Sequence, residues 1–253
     1  VLTKIRELVV MLIDEEYGRC GEDDLNRYIS DKTCAMKDAR ALLAECADDK
    51  FLEIRPDYAP EMVTGFLTLN GILVGAVANA DALYEKTADL ADGLTVDGCE
   101  KAAAFVAFCN DCEIPLLTVT AADGFAAVEQ TEKGLPQAIA KLVKAYHDGG
   151  FNSKVNLIMG DTYGSAYVAM GARSISDADM VFAWDDAKVG MMEAEKAANI
   201  LFAAEGEKAT EKQAAAYEGK QNAVTSAAAR GSVDAVIAPA QTRKHLIMAF
   251  SML

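Results

Sequence analysis

The residues best placed for chemistry lie between Lys154 and Met192, and what they offer is mostly backbone. Val155, Leu157, Ile158 and Met159 form a short apolar run that reads as a buried strand. A glycine-containing turn, Gly160 to Ser165, follows, and Ala166, Val168, Ala169 and Met170 then recur at helical spacing. A strand that enters a glycine turn at a helix start aims backbone N–H groups at an anion. Gly164 and Ser165 carry little or no side chain, so a ligand could approach the main chain there. The same pattern also serves simply to pack a helix close to a sheet, and both readings stand on the spacing alone. A second strand, Met180–Trp184, leads to another strand-to-helix turn at Gly190 and Met191.

Side-chain chemistry has less support. Cys109 and Cys112 form a C-x-x-C, but the chain has no second pair and only His147 and His245 elsewhere. A zinc ribbon is therefore not expected, and the pair reads as helix packing. No two carboxylates stand at a catalytic spacing; Asp161, Asp177, Asp179, Asp185 and Asp186 read as turn and surface residues. His147 falls near the end of a predicted helix, where an imidazolium suits the helix dipole.

The bulk composition narrows the class. A chain of 253 residues, 52% of them hydrophobic, can bury a full core. Its net charge of −15 argues against a nucleic-acid partner, which needs a basic face, and against an anionic membrane surface. No apolar run approaches the ~18 residues of a membrane span. Six scattered cysteines in a chain of this size read as free thiols of a cytoplasmic protein.

The elements that must position the central turn can be read in order. Leu2, Ile5, Leu8, Val9, Leu12 and Ile13 form a helix-period stripe closed by Gly18, predicting a docking helix. An acidic stretch follows, and Met36–Cys46 reads as a second helix, so residues 1–60 form a helical arm or linker. From residue 61 to 253 the pattern is α/β. Val63–Leu69 and Ile72–Ala78 flank Asn70-Gly71, a strong hairpin signal. Ala80 to Asp97 is a polar connector, with Asp97 the expected cap of a helix from Gly98 onward. Ile114–Thr120 is a buried strand, Gln130–Tyr146 a helix and Glu193–Ala204 another. Thr210 and Gln213 have the form of a capping box, opening a helix toward Arg230. Val233–Ile237, Pro239 and a helix Thr242–Met252 close the chain.

Taken together, these motifs resemble the C-terminal half of biotin-dependent acyl-CoA carboxyltransferases. That group includes propionyl-CoA and acetyl-CoA carboxylase β chains and the α chains of methylmalonyl-CoA and glutaconyl-CoA decarboxylases. The resemblance rests on Tyr163-Gly-Ser-Ala-Tyr167, on Ala183-Trp184 leading to Gly190-Met191, on the Asn70-Gly71 hairpin, and on the closing proline and Thr242-Arg243. Two departures stand out. The family's loop after the Ile114–Thr120 strand carries an acid and a proline where this chain has Ala121 and Asp123, although Gly124 and Phe125 are kept. Ser165 stands where the family has a second glycine.

The resemblance implies a crotonase-like (ClpP-like) ββα superhelix with an N-terminal helical arm. It implies carboxyl transfer between biotin on a carrier domain and an acyl-CoA such as propionyl-CoA or methylmalonyl-CoA. The expected partners are a biotin carboxyl carrier domain, an N-terminal carboxyltransferase half and further copies of the chain in a homo-oligomer. In such a reaction negative charge develops on the biotin ureido oxygen and on a thioester enolate, and backbone donors stabilise it. The N–H groups of Gly164, Ser165 and Ala166 are the expected catalytic oxyanion site, and Gly124, Phe125, Gly190 and Met191 the walls against the cofactor. Val168 is expected in the acyl pocket. A rival reading makes Ser165 the nucleophile of a ClpP-like serine hydrolase, with His147 or a lysine as base. Another is a half-domain with no catalysis of its own, lacking the first half that would hold acyl-CoA.

Overall fold

The computed structural model describes residues 2–13, 24–79, 93–126, 129–148, 152–202 and 210–253. Its elements run α1 (Leu2–Ile13), α2 (Asp31–Met36), α3 (Ala39–Cys46), β1 (Leu52–Glu53), β2 (Met62–Leu69), β3 (Ile72–Asn79), α4 (Val96–Asp111), β4 (Leu116–Thr120) and α5 (Glu129–His147). The chain continues with β5 (Lys154–Ile158), β6 (Thr162–Tyr163), α6 (Gly164–Ala169), α7 (Arg173–Ser176), β7 (Met180–Trp184), β8 (Val189–Gly190) and α8 (Ala194–Phe202). It ends with α9 (Glu211–Tyr217), α10 (Val224–Ala229), β9 (Ala235–Ile237) and α11 (Thr242–Met252).

A mixed sheet in the order β1-β2-β3-β4-β5-β7-β9 forms the frame. β1, β2 and β3 pair antiparallel, and β3 through β9 are parallel. The hairpin turn is the one the sequence predicted. Asn70 and Gly71 both have positive φ, 51° and 79°, which a two-residue turn matched to strand twist requires. Strand residues are apolar on both faces because both faces are covered. Val63 and Leu67 face one core, with α3 and α11; Met62 and Phe66 face the other, with α4 and α5.

Glycine sets the fit on the second face. A Cβ on Gly75 would stand 2.5 Å from the Cys109 sulfur, so α4 lies tight on β3 only because that position is bare. Cys109 is fully buried and its burial pushes the thiol up to about 12, while Cys112 is exposed. The C-x-x-C pair thus divides between core and solvent.

Several boundaries differ from those predicted. The helix expected over Met36–Cys46 is α3 and starts only at Ala39, where the Asp38 carboxylate accepts from Arg40 N and Ala41 N; Met36 instead ends α2. Thr95, not Asp97, caps α4, its hydroxyl accepting from Gly98 N at 2.9 Å. The predicted helix toward Arg230 begins with the capping box at Thr210 but is interrupted by a π-turn over Glu218–Asn222. On α1 the predicted stripe splits: Leu8 and Leu12, with Met11, pack on the second core, while Leu2, Ile5, Val9 and Ile13 are exposed. Gly18, Cys20, residues 80–92 of the predicted connector, and Ala203 and Ala204 lie outside the described residues. Among the described residues no helix is long and apolar enough to cross a membrane.

The segment before the hairpin is bound to the last helix by a buried ion pair. Arg243 on α11 has no exposed surface; its guanidinium donates to Asp48 Oδ1 at 2.6 Å, Cys46 O at 3.0 Å and Asp24 O at 2.9 Å. Asp48 also accepts from Asn70 N and Gly71 N of the hairpin turn. Removing one member leaves a buried charge unpaired, so Arg243→Ala is expected to lower stability by about 3–5 kcal/mol, read as a fall in the urea unfolding midpoint.

Candidate active site

β4 and β5 run parallel in register, with Thr120 opposite Ile158, so their outgoing loops leave the same sheet edge side by side. Small residues let them touch: a Cβ on Gly160 would lie 3.0 Å from that of Ala121. The two loops are then bonded to one another. Ala122 N donates to Thr162 Oγ1 at 3.1 Å, and Tyr163 N donates to Ala122 O at 2.9 Å. Asn79, at the end of β3, holds the first loop from behind: its Oδ1 accepts from Ala121 N at 2.8 Å and its Nδ2 donates to Ala121 O.

A small parallel ladder, β6 with β8, brings the third segment in, pairing Thr162 with Val189 and Tyr163 with Gly190. At its end Gly164 has φ +56°, a left-handed conformation that strains any side chain, and a Cβ there would stand 2.9 Å from Met191 O. α6 starts at this residue, and no side chain caps it. Among the described residues no Ser, Thr, Asp or Asn side chain, the usual partners of a helix start, takes its first N–H groups.

These segments enclose a cleft of about 330 Å³. Gly124, Phe125, Gly164, Ser165, Ala166 and Met191 all line it, so six of the eight residues singled out in the sequence converge. Gly190 is not among the lining residues. It is bare for another reason: a Cβ would stand 2.1 Å from Asn222 Oδ1. Val168 is half-buried on α6 and likewise does not line the cleft.

The charged groups at the cleft are Asp123, Asp161, Glu193 and Lys196. Lys196 pairs with Glu193 at 2.8 Å, and that hydrogen bond holds its ammonium above the usual lysine range. Partial burial pushes the Asp161 carboxyl up, against the pull of Lys188 and Lys37. Burial also raises the Tyr163 phenol, with Asp161, Glu218 and Glu193 adding to the effect, so it stays protonated. The rim is thus acidic, with its one lysine already paired, which disfavours a phosphate-bearing ligand.

Among the described residues the bonds of a serine-hydrolase arrangement are not formed. Among the described residues no side chain bonds to the Ser165 hydroxyl, and His147 ends α5 with its Nδ1 3.9 Å from Asp177. His147 does not line the cleft. Among the described residues no cluster of three or more His, Cys, Asp or Glu forms a metal-binding set.

The comparisons with known proteins agree with this architecture. The carboxyl transferase domain model matches residues 15–253, and the chain belongs to that family. It is 38% identical over 237 residues to a putative propionyl-CoA carboxylase beta chain of Bacillus subtilis, covering 90% of this chain and 45% of that protein. It is 36% identical over 223 residues to the methylmalonyl-CoA carboxyltransferase 12S subunit of Propionibacterium freudenreichii subsp. shermanii, covering 85% and 41%. The crystal structure of a transcarboxylase 12S hexamer with methylmalonyl-CoA and methylmalonic acid bound superposes with a TM-score of 0.85 at 30% identity. That match covers 98% of this chain and 50% of the other. The fold is the crotonase-like α/β one expected, and the chain spans about half the length of these relatives.

Sequence reasoning missed Asn79, Thr162 and Asn222, which hold the cleft's backbone without lining it. Thr162 is fully buried, and its hydroxyl is the acceptor that joins the two loops. Thr162→Val keeps the shape but leaves Ala122 N–H unpaired. Chemical unfolding should show a loss of about 1–3 kcal/mol, where a neutral result would mean the Thr162 hydroxyl does not hold the loops together.

Proposed function

We propose that this chain carries the biotin-facing half of a carboxyltransferase site, working with an N-terminal half that holds an acyl-CoA. The observation that carries the reading is the convergence of the Gly164–Ala166 backbone turn with Gly124, Phe125 and Met191 on one cleft with an acidic rim. A neutral bicyclic ureide fits such a cleft, because it needs donors for its oxygen and no countercharge. The phosphates of coenzyme A do not. Biotin on its carrier domain supplies, when bound, the carboxyl group and the base that takes the acyl α-proton. The chain's own part is to present preorganised N–H groups where negative charge develops on an oxygen, in a cleft whose shape is set before the ligand arrives. In this reading biotin moves the proton, and no side chain is required as general acid or base.

Met191 in the cleft is 78% exposed, and Ile200 and Leu201 on α8 are exposed too. Exposed apolar side chains of this kind are suited to burial under another half-domain. This supports a composite site, with further copies completing a homo-oligomer. The substrate class is a short acyl-CoA such as propionyl-CoA or methylmalonyl-CoA, as in the names of the relatives. The free thiols of the five described cysteines are consistent with action in the cytoplasm.

The reading is tested by following carboxyl transfer from methylmalonyl-CoA to biotin, with this chain alone and mixed with a separately supplied N-terminal half. Activity is expected only in the mixture. Gly164→Val strains the left-handed position and pushes on Met191 O, and should lower kcat by about 10²–10³-fold, the loss typical of a removed oxyanion donor. Transfer that survives Gly164→Val, or ester hydrolysis abolished by Ser165→Ala, would sink the proposal.

A further inference from the structure

The segment from Glu218 to Ala223 grips the outside of the second turn at three points. Lys188 Nζ pairs with Glu218 at 3.1 Å, and Lys188 and Ala223 form an antiparallel bridge. Asn222 Nδ2 donates to Met192 O at 3.0 Å. Asn222 has no exposed surface, and among the described residues its Oδ1 has no hydrogen-bond partner. That oxygen lies against the bare Cα of Gly190. Turning the amide over would set its oxygen against Met192 O, so the observed orientation is the one the backbone permits.

A buried amide with an unused acceptor is costly, and its retention calls for a reason. The geometry supplies one. Gly190–Met192 is clamped between two groups, with Asn222 on the outside and Gly164 on the inside, where a Cβ would meet Met191 O. The π-turn that ends at Asn222 adds one residue per turn relative to an α-helix and so aims the amide at Gly190. Movement of Met191 is thereby passed to the residue that opens the α6 turn.

We propose that Asn222 is a positioning residue for carboxyl transfer: it braces the Gly190–Met192 turn so that Met191 O and Gly164 stay in register, holding the 164–166 N–H groups in place. This rests on the function proposed above, but its structural part does not. Asn222 touches no substrate and acts only through the turn.

Two measurements separate the claims. In hydrogen exchange on this chain alone, Asn222→Ala should speed exchange of the bonded amides of Thr162 and Tyr163 and leave the sheet amides of β4 and β5 unchanged. In the reconstituted transfer assay the same variant should lower kcat about 10- to 100-fold, the effect of a roughly ångström-scale misplacement, with the acyl-CoA KM unchanged. Gly190→Ala should be equally damaging, and adding Asn222→Ala to it should cost little more, because both changes break the same contact. Unaltered exchange at Thr162 and Tyr163 overturns the brace. Exchange that rises everywhere marks general loosening and also overturns it. An unchanged kcat, or a rise in acyl-CoA KM instead, overturns its catalytic role. If the wild-type mixture transfers no carboxyl group, the function proposed above fails, and the exchange arm alone decides whether the brace exists.

Discussion

Everything at the cleft depends on two loops being unable to move apart. β4 and β5 deliver them in register, and the bonds between Ala122 and the Thr162–Tyr163 pair lock them. These bonds are buried, where water cannot replace them, so each is worth more for geometry than its net contribution to stability. The β6–β8 ladder then extends the lock to Gly190, and Gly164 closes against Met191 O. A backbone site of this kind needs rigidity because it has no side chain that can swing to follow a ligand.

This division of labour explains the balance of residues around the turn. Glycine stands where a side chain would collide: Gly164 against Met191 O, Gly190 against Asn222. Ser165 takes the next position without harm, since it is exposed and its hydroxyl meets no partner among the described residues. The acidic groups at the rim, Asp123, Asp161 and Glu193, oppose phosphate and leave the cleft suited to an uncharged ring.

Much of this could be read from the sequence. The hairpin at Asn70-Gly71 needed two positive φ values, and the parallel strands showed as short, largely apolar segments. The motif around Tyr163–Tyr167 located the turn, and most of the residues named with it meet at one cleft. What escaped were long-range polar contacts. Asn79 sits 42 residues from Ala121, and nothing local distinguishes it from any amide ending a strand. Asn222 lies in a polar, alanine-rich stretch that reads as unbroken helix, so the π-turn and the contact it makes were invisible to periodicity. Gly190 showed the converse problem: its glycine was noticed, but the Asn222 amide packed against its bare Cα was not.

The central claim is that the amides of Gly164, Ser165 and Ala166 face biotin and not coenzyme A. It is tested most directly by NMR titration of the isotope-labelled chain with millimolar biotin amide and, separately, with coenzyme A. The account predicts shifts concentrated at amides 164–166 and around Gly124 and Met191 with biotin amide, and none at these positions with coenzyme A. Shifts there with coenzyme A and none with biotin amide would contradict it.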